Sequence, residues 1–415
     1  MHIKKLTIIL SQLLCISSFS QAVNSCEEKT FWQTWYKEGQ FKGFGISPNK
    51  AEVAKAQYLF AENHYKGNFL TKDYTRALDL FTKAADAGLS QANFRLGLIN
   101  HYGQGKVKDL KAAYNYYENA AKANNPEAQF NLGLMNRYGI GVKKDFHKAF
   151  NWFTQSSNNQ SSININNCRE NKVGVVEAQF NLAQMNHYGL GTKKNMREAA
   201  KWYKKASAHN MKEAQFNFAK LLFTGNGIDY DPDKAIEYYT LAAKQGLPEA
   251  QLNLAQIYHY GPSFVQNHIK ANQWYVKAAN QNIKEAYFNL GLMAQYGRGV
   301  NQNYVSARQY YLKAISNKIP ETYLNLGFLY HYGLGIPVDD NKAFDYFDKA
   351  ANKGIAQAQY HLGIHYRDGR AVNKNITIAD YWFNKANAND LLSDKVKSEN
   401  FALREPVDVH LYVHK

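Results

Sequence analysis

The sequence predicts an all-α fold, a solenoid of nine two-helix repeats with a 36-residue period. Three observations carry that expectation. A small residue recurs in 36-residue steps at Ala56, Ala92, Ala128, Ala214, Ala250, Ala286, Thr322 and Ala358, and Ala178 completes the series once a 14-residue insertion is allowed for. A second marker keeps the register 21 residues later, at Ala77, Ala113, Ala149, Ala199, Ala235, Ala271, Ala307, Ala343 and Ala379. Between the two markers stands a glycine loop such as Tyr138-Gly139-Ile140-Gly141, which stops one helix before another begins.

The third repeat shows how each half is specified. Ala128, Leu132 and Met135 fall at i, i+4 and i+7 and share a helix face, and Gly133 removes a side chain where another helix must come close. Gly139 ends this first helix because glycine takes the left-handed conformation that satisfies the last carbonyls. Asp145 stands where an N-cap belongs, and Ala149, Trp152, Phe153 and position 156 then recur with helical spacing in the second helix. One hairpin cannot bury both apolar stripes. Stacking against neighbours is therefore required, and the result is a one-dimensional solenoid.

The motif A-x-x-x-L-G-x-x-Y/N-x-x-G-x-G, followed by D-x-x-K-A-x-x-W/Y-Y/F-x-K-A-A, resembles the Sel-one-like repeat (SLR), a branch of the tetratricopeptide-repeat-like superfamily. Repeats 2, 3, 4, 7 and 8 match it closely. The second loop glycine is missing in Gly67-Asn68-Phe69, Gly261-Pro262-Ser263 and Gly369-Arg370-Ala371 of repeats 1, 6 and 9. The resemblance covers residues 54–388 and implies a right-handed α-solenoid that serves as a partner-binding scaffold. It further implies that the first helices line the concave surface.

The flanking segments read differently. Residues 1–22 carry Lys4 and Lys5, an apolar run from Leu6 to Phe19 and the ending Ser20-Gln21-Ala22, the pattern of a secretory signal peptide cleaved near Ala22. The run is short for a membrane span, so a periplasmic or secreted protein is expected. Residues 23–53 hold Phe31, Trp32, Trp35 and Tyr36 and are expected to cap the first repeat. Residues 156–176, rich in Asn and Ser, are expected to loop out between repeats 3 and 4. With the signal gone, Cys26 and Cys168 are the remaining cysteines, a candidate disulfide in an oxidising compartment; free thiols or an intermolecular bridge are the alternatives. Residues 389–415 are read as a C-terminal cap and tail.

The net charge is +16, and about +14 stays on the chain once the signal is removed. Lysines on the second helices, such as Lys204, Lys205 and Lys313, account for part of it as a solvated outer face. The loop pairs Lys143-Lys144 and Lys193-Lys194 could form a basic edge. No nucleic-acid-binding motif accompanies the charge, so no nucleic-acid partner is expected.

Motifs for catalysis are absent: there is no G-x-S-x-G, H-E-x-x-H or phosphate-binding loop. His101, His187, His259 and His331 occupy equivalent places in different repeats, too far apart for one ion at the ~10 Å spacing of packed helices. His361 and His365 share a helix face, with Asp368 a conceivable third ligand, but surface or core histidines are the expected reading. No metal and no cofactor are expected.

The candidate binding site is a column of asparagines. Asn131, Asn181, Asn217, Asn253, Asn289 and Asn325 occupy the fourth position of six consecutive first helices, beside Phe130, Phe180, Phe216 and Phe288. Each amide either satisfies a backbone group of a neighbouring helix or joins a ladder that grips an extended peptide. The expected protein is an exported, monomeric, non-catalytic adaptor that binds a protein or peptide partner, in host interaction or envelope maintenance. A cell-wall or β-lactam hydrolase, and a basic surface for anionic glycan or lipid, are the alternatives.

Overall fold

The structure, a computed structural model, describes residues 50–67, 70–158, 173–317 and 319–388. The expected signal peptide, residues 23–49 of the expected N-terminal cap, the C-terminal tail, and both Cys26 and Cys168 lie outside these residues, and residues 50–53 of that cap belong to the first helix. Among the described residues there are eighteen α-helices and no strand. They divide into two compact units, one ending at Tyr230 and the other beginning at Asp231.

The first unit holds α1 (Lys50–Lys66), α2 (Tyr74–Asp86), α3 (Ser90–Tyr102), α4 (Leu110–Lys122), α5 (Pro126–Tyr138), α6 (Phe146–Asn158), α7 (Val173–Tyr188), α8 (Met196–Ser207) and α9 (Lys212–Thr224). The second holds α10 (Pro232–Lys244), α11 (Pro248–Tyr260), α12 (His268–Asn280), α13 (Lys284–Tyr296), α14 (Tyr304–Ala314), α15 (Pro320–His331), α16 (Asp340–Ala351), α17 (Ala356–Asp368) and α18 (Ile376–Ala388). Within each unit every helix packs on the next in unbroken order, which is the solenoid arrangement. The ends of the Asn- and Ser-rich segment are themselves helical. α6 runs through Asn158 and α7 starts at Val173, because the packed faces of repeats 3 and 4 extend the helices past the break in the pattern.

Each repeat is built around one aromatic ring from its second helix. Phe81, Tyr117, Phe153, Tyr203, Tyr239, Tyr275, Tyr311 and Phe347 all occupy this position and are buried. The ring fits because the first helix offers a small residue opposite it. A Cβ built on Gly133 would stand 2.4 Å from the Phe153 ring, and one on Gly327 2.5 Å from Phe347. The alanine markers of both helices close the rest of the core at 0–7 % exposure.

All nine second helices begin with Asp or Asn. Asp73, Asp109, Asn195, Asp231, Asn267, Asn303 and Asp339 cap by accepting from backbone N–H groups one turn on. Asp145 and Asn375 do the same through Lys148 N–H at 2.9 Å and Ile378 N–H at 3.0 Å. Most first helices end at left-handed glycines such as Gly139, with φ of 72°, whereas Gly261 of the sixth repeat is extended, with φ of −66°. The second loop glycine answers a different need, close approach between repeats. A Cβ on Gly191 would lie 2.2 Å from the Phe146 carbonyl oxygen at the start of the preceding repeat's second helix. Buried glutamines add polar staples between repeats. Gln129, Gln251 and Gln359 donate to the Ala121, Ala243 and Ala351 carbonyls of the repeat before, at 3.1 to 3.2 Å.

Candidate functional site

The first helices present a half-buried stripe beside the core, and the asparagines lie on it. One amide N–H of five of them is already committed. Asn131, Asn181, Asn217, Asn289 and Asn325 each donate to the carbonyl four residues back in their own helix, those of Glu127, Glu177, Glu213, Glu285 and Glu321, at 2.7 to 2.9 Å. The structural bond is thus made within the helix rather than to a neighbouring one, because a side chain at this position reaches its own i−4 carbonyl. The amide oxygens face the adjacent repeat or side chain. Asn181 Oδ1 accepts from the Arg137 guanidinium, and Asn289 Oδ1 accepts from the Tyr260 hydroxyl at 2.8 Å. Asn253 bonds the Tyr239 hydroxyl, whose pKa burial pushes up to about 12.

Asn131, Asn217 and Asn253 are half-buried, whereas Asn181, Asn289 and Asn325 are at most 8 % exposed. The phenylalanines turn inward as well. Phe130 meets Phe153 at 5.8 Å between centroids, Phe180 meets Tyr203 at 5.8 Å and Phe288 meets Tyr311 at 6.0 Å. Phe216 is half-buried.

The stripe's accessible part is a row of tyrosines that the repeat pattern alone does not single out. In the first unit Tyr102, Tyr138 and Tyr188 end consecutive first helices of repeats 2 to 4 and are 59–63 % exposed. Each ring is braced by the residue before it: His101 stacks on Tyr102 at 4.8 Å, Arg137 lies 5.3 Å over Tyr138, and His187 packs on Tyr188 at 4.6 Å. Burial, with Lys108 beside the first and Lys194 and Lys220 beside the second, lowers the pKa of His101 and His187. A sequence signal for the row does exist. Each tyrosine immediately precedes the loop glycine and falls off the face shared by Ala128, Leu132 and Met135. In the second unit Tyr332 is 41 % exposed at the same position.

The second helices carry a different chemistry. Lys204, Lys205 and Lys313 are exposed. Lys205 lies 4.0 Å over the Trp202 ring, Lys277 4.0 Å over Trp274, and Lys313 5.4 Å over Tyr287. These amines cover aromatic surface with their stems while their charge stays in water. The loop pairs Lys143-Lys144 and Lys193-Lys194 are also exposed.

The histidine grouping differs from the one drawn from spacing. Asp368 turns away from His361 and His365 and binds the Arg367 guanidinium at 2.7 and 3.1 Å, since that cation is its chain neighbour. His361 stacks on Phe347 at 5.0 Å, and burial lowers its pKa to about 3. His365 is fully buried, with Nδ1 3.1 Å from the Arg370 carbonyl oxygen. No helix among the described residues is long and apolar enough to cross a membrane.

A model of the Sel1 repeat matches nine segments of the chain, residues 54–89, 90–125, 126–161, 176–211, 212–247, 248–283, 284–318, 320–355 and 356–391. Among solved structures, the chain is similar to a protective antigen present in uropathogenic Escherichia coli strains that displays an SLR fold. The identity is 25 % and the TM-score 0.71, over 86 % of this chain and 79 % of that one. It is also similar to a Sel1 repeat protein from Oxalobacter formigenes, at 27 % identity and TM-score 0.53 over 79 % of this chain and 89 % of that one. No match was found among curated proteins.

Proposed function

The chain belongs to the Sel1 repeat family, and we propose that it is an exported adaptor that binds a protein partner through the first-helix stripe. Sel1 repeats generally serve as non-catalytic scaffolds for protein interaction, and each unit supplies a run of stacked first helices for that purpose. The observation that carries the reading is the row Tyr102, Tyr138 and Tyr188. Three amphipathic rings are offered at one helix position in consecutive repeats, each stacked on its neighbour and so held in place before a partner arrives. Tyrosine is enriched at binding hot spots because it gives large contact area, a hydrogen-bonding tip and few rotamers to freeze.

The asparagines hold a secondary place in this proposal. With one amide N–H committed to its own helix, each of the five bonded asparagines offers a partner its second N–H and the remaining lone pairs of its oxygen. Export is supported by the basic, apolar and small-residue order of residues 1–22. It is also in keeping with the similar protein from uropathogenic Escherichia coli, which is a protective antigen.

The test uses the mature chain, immobilised, and the protein it retains from envelope or host extract. Replacing Tyr102, Tyr138 and Tyr188 together by Ala should weaken that complex at least tenfold with the helical content unchanged. The control Lys204→Gln, Lys205→Gln and Lys313→Gln should bind as the parent does. Loss of binding in the lysine control alone, with collapse of affinity at high salt, would move the site to the basic face.

A further inference from the structure

The ninth repeat breaks the repeat rule at a position inside its core. The counterparts of His365 in repeats 2 to 8 are Ile99, Met135, Met185, Leu221, Ile257, Met293 and Leu329, all apolar. His365 is nevertheless 0 % exposed. A second break lies beside it. The counterparts of Asp340 in repeats 1 to 7 are Tyr74, Leu110, Phe146, Met196, Pro232, His268 and Tyr304, and none of them is acidic. Asp340 is not needed for capping, because Asp339 caps α16 through Lys342 N–H at 3.0 Å and pairs with the Lys342 amine at 2.8 Å.

These two exceptions meet a third side chain. One ligating atom from each of His331, Asp340 and His365 lies within 4.8 Å of the others. His331 Nδ1 stands 3.9 Å from Asp340 Oδ1. Three buried atoms of the cluster, His331 Nδ1, Asp340 Oδ1 and His365 Nε2, have no hydrogen-bond partner. Leaving one such atom unsatisfied is costly, and three in one cluster of potential ligands call for a shared partner.

The orientation of His365 fits a ligand. Its Nδ1 faces the Arg370 carbonyl, which can only accept, so Nδ1 carries the proton and Nε2 presents a lone pair to the cluster. A metal-bound imidazole is held in this way by its other nitrogen. Two imidazoles and one carboxylate form a mixed nitrogen and oxygen set of the kind that selects first-row divalent ions over magnesium or calcium. Ligands of a tetrahedral zinc stand about 3.3 Å apart, so the separations need to close by up to about 1.5 Å, and the Asp340 side chain, 36 % exposed, has room to turn. The exposed Arg370 guanidinium is a nearby like charge, weakened by solvent.

We propose that His331, Asp340 and His365 form a divalent transition-metal site that clasps the eighth repeat to the ninth, with a fourth coordination position left for water or a partner's ligand. His331 comes from the end of α15, Asp340 from the first turn of α16 and His365 from the last turn of α17. The ion therefore bridges three consecutive helices of the second unit. The sixth repeat holds His259 and His268 at the places of His331 and Asp340 but has Met293 where His365 would be, so its set is incomplete.

The test titrates Zn²⁺ alone into the full mature chain after chelation, by calorimetry and by thermal melting, with Co²⁺ as a spectroscopic probe. The parent should bind one equivalent, melt higher with the metal than without it, and give visible absorption with Co²⁺. His365→Leu installs the residue found at Leu329, and His331→Gln the residue found at Gln295, so both suit the fold. Each, along with Asp340→Asn, should weaken Zn²⁺ at least tenfold and abolish the metal-dependent rise in Tm. Metal-free His365→Leu should melt above the metal-free parent, because it removes an unsatisfied imidazole from the core. Absence of stoichiometric binding by the parent, or equal binding by all three variants, would overturn the proposal.

Discussion

At the scale of single residues, the repeats test one another by offering different answers to the same local problem. His259 and Gln295 occupy equivalent places, and each meets the tyrosine of its own repeat: Tyr275 lies 3.4 Å from His259 Nδ1, and Tyr311 donates to Gln295 Oε1 at 2.7 Å. Burial, aided by the charge of Arg298 and by His268, lowers the pKa of His259 to about 3. The unfolded chain titrates this histidine near pH 6.5. Between those two values the unfolded state binds the extra proton, so stability is full above pH 6.5 and falls as the solution is acidified toward pH 3. The expected loss from this residue between pH 7 and pH 5 is about 2 kcal/mol. Thermal melts of His259→Gln should show a shallower decline over that window than the parent. Curves that remain parallel would contradict the assignment. Gly133→Ala gives a second check. Its Cβ would stand 2.4 Å from the Phe153 ring, and overpacking of this kind costs about 1–3 kcal/mol, readable in urea unfolding.

At the scale of elements, the loop between the two helices of a repeat also positions the next repeat. Gly191 combines a φ of 67° with a Cβ position 2.2 Å from the Phe146 carbonyl oxygen. Gly191→Ala should therefore cost more than the ~1 kcal/mol of a left-handed alanine alone, and a loss of about 2 kcal/mol or more is expected. Repeat 9 supplies the reverse experiment. Ala371 already holds a φ of 62°, so Ala371→Gly should raise stability by about 1 kcal/mol, while a drop would refute the strain argument. This level of organisation was legible in the sequence. The alanine markers, the Gly133 contact, the Asp145 cap and the loop glycines each follow from local chemistry that the repeat states many times over. The site was less legible, because periodicity finds what repeats share without showing which shared side chains stay exposed or where single repeats depart from the pattern. Asn131 and its counterparts stood out by recurrence, yet recurrence equally marks a bond each helix makes to itself. His331, Asp340 and His365 come from two repeats and three helices, and no spacing within one helix announces them. Asp368, sequence-near and suggestive, is held by Arg367 instead.

At the scale of the molecule, the lysines and the exposed tyrosine row lie on different helices. Second helices carry lysines whose stems lie over Trp202 and Trp274, and first helices of the first unit carry Tyr102, Tyr138 and Tyr188. Partner affinity should accordingly change little between low and physiological salt, because screening acts on charges and leaves ring burial intact. A fall of a hundredfold or more over that range would favour the lysines. The central claim is that recognition uses the first-helix stripe, and hydroxyl-radical footprinting of the chain with and without its partner addresses it most directly. Tyr102, Tyr138 and Tyr188, 59–63 % exposed, should lose reactivity together in the complex, while Tyr381 on the second helix α18, 55 % exposed, keeps its own. Protection of Tyr381 with the three first-helix tyrosines still reactive would contradict it.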